Sequence, residues 1–198
     1  MDLVSLQLTS ANEFQVRHAR RLLQERVADG SLSKDIPNKI VEHFHLDGFS
    51  DGKKVEIQLR LLWTLHATGG ASKSFLSTQL EHTSEHVRWW AIQLLCEDRK
   101  IEKETLEKFT EMAKDDPSAM VRLSLASVMQ RLPFADRWPI ATNLASHEED
   151  AKDANLPLMI WYAVEPAVAA DTQQALLFAS RCKIPSVRQH VARRLAED

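Results

Sequence analysis

The segment DPSAMVRLSLA, residues 116–126, decides how this chain is expected to fold. Asp-Pro-Ser is typical of a helix start, and the apolar residues from Val121 onward recur at the spacing of one helical face. The dipeptide Val-Arg within this segment occurs four times, at residues 16–17, 87–88, 121–122 and 187–188. The four valines are 71, 34 and 66 residues apart. These distances are close to two, one and two units of about 33–36 residues, the period of helical pairs that stack into a solenoid.

Residues at offsets 0, 4 and 8 from the start of a unit should form one helical stripe that packs on a partner helix. Among the units that begin with Val-Arg, three carry apolar residues at all three offsets: Val87, Ala91 and Leu95; Val121, Leu125 and Met129; Val187, Val191 and Leu195. Two weaker units without Val-Arg are inferred, one with Val55, Leu59 and Trp63 between Val16 and Val87, and one with Leu158 and Tyr162 between Val121 and Val187. The prediction is a right-handed α-α superhelix of five to six helical pairs. It occupies residues 1–198 as one domain, a fragment or module of a larger protein.

Composition agrees with an all-α class. The chain has five glycines among 198 residues, and all of them fall in predicted connections. Such scarcity argues against phosphate-binding loops and against a doubly wound sheet, whose tight turns need positive φ. Start and stop signals predict helices near residues 12–28, 35–46, 54–68, 73–81, 85–97, 102–114, 118–131, 134–146, 155–169, 171–181 and 185–196.

The charge balance bears on the class of partner. Lysine and arginine number 25 against 28 acidic residues, giving a net charge of −3 and a pI near 6.2. A general nucleic-acid binder has an excess of positive charge, so nucleic acid is not the expected partner. No apolar run approaches the ~20 residues that span a bilayer, so no membrane segment is expected in this chain. Cys96 and Cys182 are distant in sequence and are expected to be free thiols.

The pattern Asp-Pro-Ser-x-x-Val-Arg-x-x-x-Ala at residues 116–126 resembles a HEAT-type repeat. In that family the valine packs inside the second helix of each pair. The adjacent arginine pairs with acidic groups of a neighbouring repeat and so forms a ladder along the array. The resemblance implies that the ladder members here are Arg17, Arg88, Arg122 and Arg188. Glu56 and Met159 occupy the equivalent positions in the two weaker units, where the ladder would be interrupted.

A narrower resemblance covers most of the chain. Four strings carry it: HVRWWAIQLLCED (86–98), DDPSAMVRLSLASVMQRLP (115–133), EEDAKDANLPLMIWYAVEP (148–166) and IPSVRQHVARRL (184–195). They resemble the helical segment of multidomain membrane-bound dehydrogenases of planctomycete and verrucomicrobial type. Those proteins place a β-propeller before the helical repeats and a c-type cytochrome domain after them, which would imply a periplasmic or cell-envelope location. The sequence itself carries no Cys-x-x-Cys-His haem motif, so no cofactor is assigned to it.

Several groups of polar residues invite a metal-site interpretation. His82, Glu85 and His86 fit a zinc-protease pattern, but a helix capped by Ser84 leaves His82 before the helix and away from the face of His86. His43 and His45, with Asp47 nearby, lie on different sides of a helix. The acidic cluster Glu148, Glu149, Asp150 and Asp153 lacks the alternating ligands and central glycine of a calcium loop. The sequence therefore assigns no metal ligand and no catalytic residue.

Two pairs of adjacent aromatic residues are the candidate binding residues. Trp89 and Trp90 point about 100° apart on a helix, so they cannot both face the same core, and Trp161 and Tyr162 repeat this arrangement. Filling gaps between stacked layers is the commoner role for such side chains. The alternative is a partner-binding patch, because tryptophan and tyrosine dominate interface energetics.

The function predicted from these features is a non-catalytic interaction or scaffold module. Its partner would be a protein, either a neighbouring domain or another subunit. The alternative is a DNA-binding protein similar to the HEAT-like alkylpurine DNA glycosylases. In that case Trp89, Trp90, Trp161 and Asp153 would be the candidates for handling a damaged base.

Overall fold

The computed structural model describes residues 2–46 and 50–197, and within these ranges the chain forms twelve α-helices, three 3-10 helices and no strand. The prediction of an all-α protein is therefore confirmed. The α-helices are α1 (Leu3–Thr9), α2 (Glu13–Ala28), α3 (Ile36–Phe44), α4 (Asp51–Ala67), α5 (Lys73–Thr78), α6 (Glu85–Leu95), α7 (Lys103–Asp115), α8 (Ala119–Val128), α9 (Phe134–Leu144), α10 (Leu156–Val168), α11 (Thr172–Arg181) and α12 (Pro185–Glu197). The 3-10 helices are Gln79–Glu81, Met129–Arg131 and Glu148–Lys152.

Side-chain caps begin the helices close to the predicted positions. The Ser72 side chain accepts from the Phe75 N–H at the start of α5, and the Ser118 side chain accepts from the Val121 N–H at the start of α8. Such caps satisfy backbone donors that have no partner within the helix. Helix α1 was not predicted, because its seven residues are too few to establish a helical period. It is capped by Asp2, whose carboxylate accepts from the Val4 N–H at 3.0 Å.

The chain divides into two compact units, Met1–Arg88 and Trp89–Asp198. In the first unit α4 is central and packs against α1, α2 and α3. A buried polar network connects these helices: the Thr64 hydroxyl donates to Gln7 Oε1 at 3.1 Å, and Gln7 Nε2 donates to the Val16 carbonyl at 3.0 Å. The buried Arg60 side chain forms ion pairs with Glu13 and with a glutamate one turn earlier in α4. The first unit therefore contains a polar layer as well as an apolar core.

In the second unit the helices form two rows. Helix α9 packs against both α7 and α11, and α10 packs against both α8 and α12. Each helix of the first row (α7, α9, α11) also contacts the next helix along the chain, which belongs to the second row (α8, α10, α12). Three helical pairs are thus layered side by side, and the apolar residues between the rows form the core. Cys96 and Cys182 are both buried in this unit, and the two do not form a disulfide.

The stripes predicted for the two weaker units are wrong in register. Leu158 and Tyr162 are 42% and 54% exposed, and Val55, Leu59 and Trp63 are only half-buried. The buried apolar residues lie two positions away, at Ile57, Leu61 and Leu65 in α4 and at Leu156, Ile160 and Val164 in α10. Both helices are apolar on more than one side, so their pattern fits several stripes and packing against the neighbouring helices selects one. The other stripes are buried apart from Leu195, which is half-buried.

Two prolines lie inside helices of the second unit, Pro139 in α9 and Pro166 in α10. A proline lacks the N–H that the preceding turn needs, and its ring disturbs the carbonyls of that turn. Three residues before Pro166, the Ala163 carbonyl accepts a hydrogen bond from Arg137 Nη1 at 2.7 Å. Arg137 is buried and belongs to α9, so its guanidinium ties the first row to the second at the disturbed turn.

Candidate interaction surface

Helix α10 presents an exposed apolar stripe in the second row. Leu158 and Tyr162 are four residues apart and therefore lie on one face of the helix. Tyr162 is more than half exposed, and Trp161 beside it is half-buried. We name Leu158, Trp161 and Tyr162 the α10 stripe. Large apolar side chains that remain accessible together are typical of surfaces that bind another macromolecule.

Contacts with α12 hold one edge of the α10 stripe. The Trp161 ring stacks on the His190 ring with centroids 5.2 Å apart and planes 21° from parallel. One turn further along both helices, Glu165 pairs with Arg194 at 3.4 Å. The stacking on His190 restricts the rotamer of Trp161, which reduces the side-chain entropy lost on binding a partner.

The other predicted aromatic pair lies at the start of the second unit. The rings of Trp89 and Trp90 meet edge to face, with centroids 4.8 Å apart, and both side chains are half-buried. The segment is tied to α8 because the Ser124 hydroxyl donates to the Trp89 carbonyl at 3.2 Å and Gln93 Nε2 donates to Ser124 Oγ at 3.0 Å. Trp89 and Trp90 are therefore placed by helix packing and offer less accessible surface than Tyr162 does.

Arg122 occupies the position that the HEAT resemblance assigns to a ladder arginine. Its Nε and Nη2 both lie 2.6 Å from the Asp150 carboxylate, in the 3-10 turn that precedes α10. Its Nη1 donates to the Asp116 carbonyl at 2.9 Å. The hydrogen bonds to Asp150 raise the pKa of Arg122, so the guanidinium is charged at every physiological pH. The pair links α8 to the following helical pair of the second unit.

The three other predicted ladder arginines have different surroundings. Arg88 Nη1 donates to the His82 carbonyl at 2.9 Å, six residues before it, the same spacing that separates Arg122 from Asp116. Arg17 is exposed and lies 4.0 Å from Glu13 of its own helix. Arg188 is also exposed, and among the described side chains it has no hydrogen-bond or ion-pair partner. A ladder that includes all four arginines stays a prediction.

His82, one histidine of the suggested metal patterns, accepts a hydrogen bond within the fold. His82 lies before α6, and its Nδ1 accepts from the Ser84 N–H at 3.0 Å, so that nitrogen is not available to a metal. Within residues 2–46 and 50–197 no group of three histidine, cysteine or acidic side chains is arranged to hold a metal ion. Asp47, which was considered with His43 and His45, lies outside the described residues.

The lowered pKa of His82 predicts how the stability of the chain depends on pH. Burial, reinforced by the positive charges of Lys54 and Arg88, lowers the pKa of His82 below its ordinary value of 6.5. The pKa of His82 is lower in the folded chain than in the unfolded chain. Neutral His82 therefore contributes to stability above pH 6.5, and this contribution is lost as the pH falls through the pKa of the folded state. A His82→Asn variant keeps an acceptor for Ser84 but does not titrate. Urea unfolding at pH 7.5 and 5.0 should show a smaller loss of stability for this variant than for the natural chain; equal losses would contradict the assignment.

Three of the four residues in the acidic cluster before α10 make contacts inside the fold. Asp150 pairs with Arg122, and Glu149 lies 2.8 Å from His147. Asp153 Oδ1 accepts from the backbone N–H groups of Asn155 and Leu156, both at 2.8 Å, and these hydrogen bonds lower the pKa of Asp153. The carboxylate proposed to handle a damaged base is thus engaged by backbone N–H groups at the start of α10.

A groove of about 450 Å³ lies between α7, α9 and α11, lined by Trp138, Leu177 and Phe178 among others. Two of its polar side chains make hydrogen bonds within the fold. Asn143 Nδ2 donates to the Thr110 carbonyl at 2.7 Å, and the Asp171 side chain accepts from the backbone N–H three residues later. The groove therefore adds apolar surface and no convergent set of catalytic groups.

Sequence reasoning missed three contributors to these sites. Asp150 was placed in a generic acidic cluster, although its distance from Arg122 along the chain is close to one repeat unit. His190 and Leu158 were not considered as binding residues. Leu158 is four residues from Tyr162, and that spacing could have identified it once the buried stripe of α10 was known to run through Ile160.

No model of a known protein family matches this sequence, and no curated protein matches it significantly. Within residues 2–46 and 50–197, none of the helices is both long and apolar enough to cross a membrane.

Proposed function

We propose that this chain is a non-catalytic protein-interaction module, built as a superhelical array of HEAT-like helical pairs, that binds a protein through the α10 stripe. The observation that carries the proposal is the exposure of Tyr162 and Leu158 on one face, beside a Trp161 ring held in place by His190. Rigid aromatic anchors surrounded by polar groups are typical of the centre of a protein interface.

The stacking of three helical pairs in the second unit supports the array. Arg122 supports it further, because this arginine joins one pair to the next through Asp150. The resemblance to the repeat segment of membrane-bound dehydrogenases supports a redox context, with a neighbouring propeller or cytochrome domain as partner and a periplasmic or cell-envelope location.

The DNA-glycosylase alternative has less support. The Asp153 carboxylate is engaged by backbone N–H groups at the start of α10, and the net charge of −3 does not favour binding of a polyanion. Binding to alkylated duplex DNA that weakens steeply with salt would favour that alternative over a protein partner.

Photo-crosslinking at position 162 tests the proposed function. Benzoylphenylalanine replaces Tyr162, and the matched control replaces Phe134, an aromatic residue of α9 that is 42% exposed. Position 162 should give a discrete protein adduct in cells of the native source, and the partner identified from it should bind the purified chain directly. Tyr162→Ala should then weaken that binding by about tenfold or more, the usual loss at an aromatic anchor. Adducts at 134 but not at 162, or unchanged affinity of the variant, would refute the proposal.

A further inference from the structure

The groove between α7, α9 and α11 follows α11 along its whole length. The residues of α11 that line it are Asp171, Gln174, Leu177, Phe178 and Arg181. Residues spaced by three or four lie on one side of a helix, so a single side of α11 borders the groove from the first turn to the last. From Asp171 to Arg181 the helix rises about 15 Å, and this is the length of the groove.

The middle of the groove is apolar. The rings of Trp138 and Phe178 lie there with centroids 5.8 Å apart, and they are 7% and 2% exposed. Leu177 beside them is 42% exposed. Because the groove measures about 450 Å³, a large apolar side chain of a ligand can pack between these residues.

The two ends of the groove carry opposite charges. Among the described residues that line it, Asp171 at one end and Arg181 at the other are the only charged ones. Asp171 Oδ1 accepts from the Gln174 N–H at 3.0 Å, which leaves the second carboxylate oxygen for a ligand. Arg181 is exposed, and its guanidinium makes no hydrogen bond or ion pair with the described residues. A ligand that spans the groove therefore meets a carboxylate at one end and a cation at the other.

Pro139 adds a hydrogen-bond acceptor to the wall of the groove. Proline has no N–H, so the Ala135 carbonyl, four residues earlier in α9, lacks the donor that a helix normally supplies. Ala135 and Pro139 both line the groove. A backbone N–H of an extended chain can donate to this carbonyl, whereas the N–H groups inside a helix are already bonded. The wall thus favours an extended segment over a helical one.

From these features we infer that the groove binds an extended peptide segment in which a basic, a large apolar and an acidic residue alternate with residues of any type. In an extended strand every second side chain points to the same side, so the three specified side chains face the groove together. Such a segment of five residues spans about 13 Å at 3.3 Å per residue, close to the length of the groove. The basic side chain pairs with Asp171 and the acidic one with Arg181. The apolar side chain between them packs against Trp138 and Leu177.

The inferred site belongs to the first row of helices, whereas the α10 stripe belongs to the second row. The two surfaces therefore bind independently, and failure of either proposal leaves the other standing.

Three acetylated and amidated peptides serve as probes. One is Gly-Lys-Ala-Phe-Ala-Glu-Gly, and the other two carry lysine at both charged positions or glutamate at both. Each is titrated into the isotope-labelled full chain, and NMR follows the indole N–H of Trp138, which a Trp138→Phe variant assigns. The Lys/Glu peptide should give a saturable shift of this signal. It should also bind about fivefold more tightly than either of the others, because each of those places like charges together at one end of the groove.

Arg181→Glu should weaken binding of the Lys/Glu peptide by about fivefold or more. It should also make the peptide with two lysines the tightest of the three, since both ends of the groove are then acidic. Loss of folding cannot produce this exchange of preference. Arg188→Glu is the matched control, because Arg188 is an exposed arginine of α12 that does not line the groove. It should leave the order of the three affinities unchanged.

Leu177→Ala tests the apolar contact and should weaken binding of the Lys/Glu peptide by about threefold or more. Leu176→Ala should not, because Leu176 is a neighbouring exposed leucine outside the groove. Absence of a saturable Trp138 shift, or equal affinities for the three peptides, would overturn the inference. Affinity that falls in Tyr162→Ala but not in Leu177→Ala would also overturn it, because the probe would then occupy the α10 stripe.

Discussion

Replacing Asp150 with alanine should lower the free energy of unfolding by about 3–5 kcal/mol, the usual cost of removing one partner of a buried ion pair. Asp150 and Arg122 are each 4% exposed, so the change leaves the guanidinium buried without its bidentate partner. The remaining bond to the Asp116 carbonyl cannot neutralise the charge. Urea unfolding followed by tryptophan fluorescence measures the loss.

A double variant that replaces both charged residues separates the Arg122–Asp150 ion pair from its surroundings. Arg122→Met combined with Asp150→Leu should cost clearly less than Asp150→Ala alone, because two apolar side chains leave no buried charge behind. Glu149→Ala is the control: Glu149 lies 3.8 Å from Arg122 but is exposed, and its removal should change stability little. Equal losses for Glu149→Ala and Asp150→Ala would mean that the pair is not the contact that links the two helical pairs.

The class of the fold was predictable because helical periodicity and caps are local properties. Val121 and Ser118 identify the start of α8 without knowledge of any other helix. The register of α4 and α10 was not predictable in the same way. Leu158 and Ile160 are equally apolar, and only the packing of α8, α9 and α12 around α10 determines that Ile160 is buried and Leu158 exposed.

The candidate site was predictable to a similar extent. Adjacent aromatic residues at 161 and 162 must point in different directions on a helix, so exposure of one of them follows from local geometry. The stacking of Trp161 on His190 depends on how α10 packs against α12. In the same way, the pairing of Arg122 with Asp150 depends on how α8 packs against the next helical pair. Contacts of this kind become predictable only after the layers are aligned.

Arg137 shows how a cation can be buried without a carboxylate. Its Nε donates to the Leu132 carbonyl at 2.9 Å, and its two Nη atoms donate to Ala163 at 2.7 Å and Gln130 at 3.3 Å. The guanidinium also lies over the Phe134 ring, 4.7 Å from its centroid. Burial lowers the pKa of Arg137, which means that the site stabilises the charge less well than water does. The carbonyls nevertheless depend on it, because all three lie at helix ends or at a turn disturbed by proline.

Arg137→Met should therefore destabilise the chain by about 3 kcal/mol, since it removes the donor to the two buried carbonyls of Leu132 and Ala163, at about 1–3 kcal/mol each, while relieving the desolvation of the cation. Methionine keeps most of the side-chain volume, so the loss reports hydrogen bonding more than packing. Arg131→Met is the matched control, because Arg131 is half-buried and makes a single carbonyl bond of 3.3 Å to Gln93; it should cost about 1 kcal/mol or less. Urea unfolding of both variants measures the difference, and hydrogen exchange should locate it in the amides around Ala163. Equal stability of the two variants would mean that the carbonyls near Pro166 find other donors and that Arg137 does not hold the two rows together.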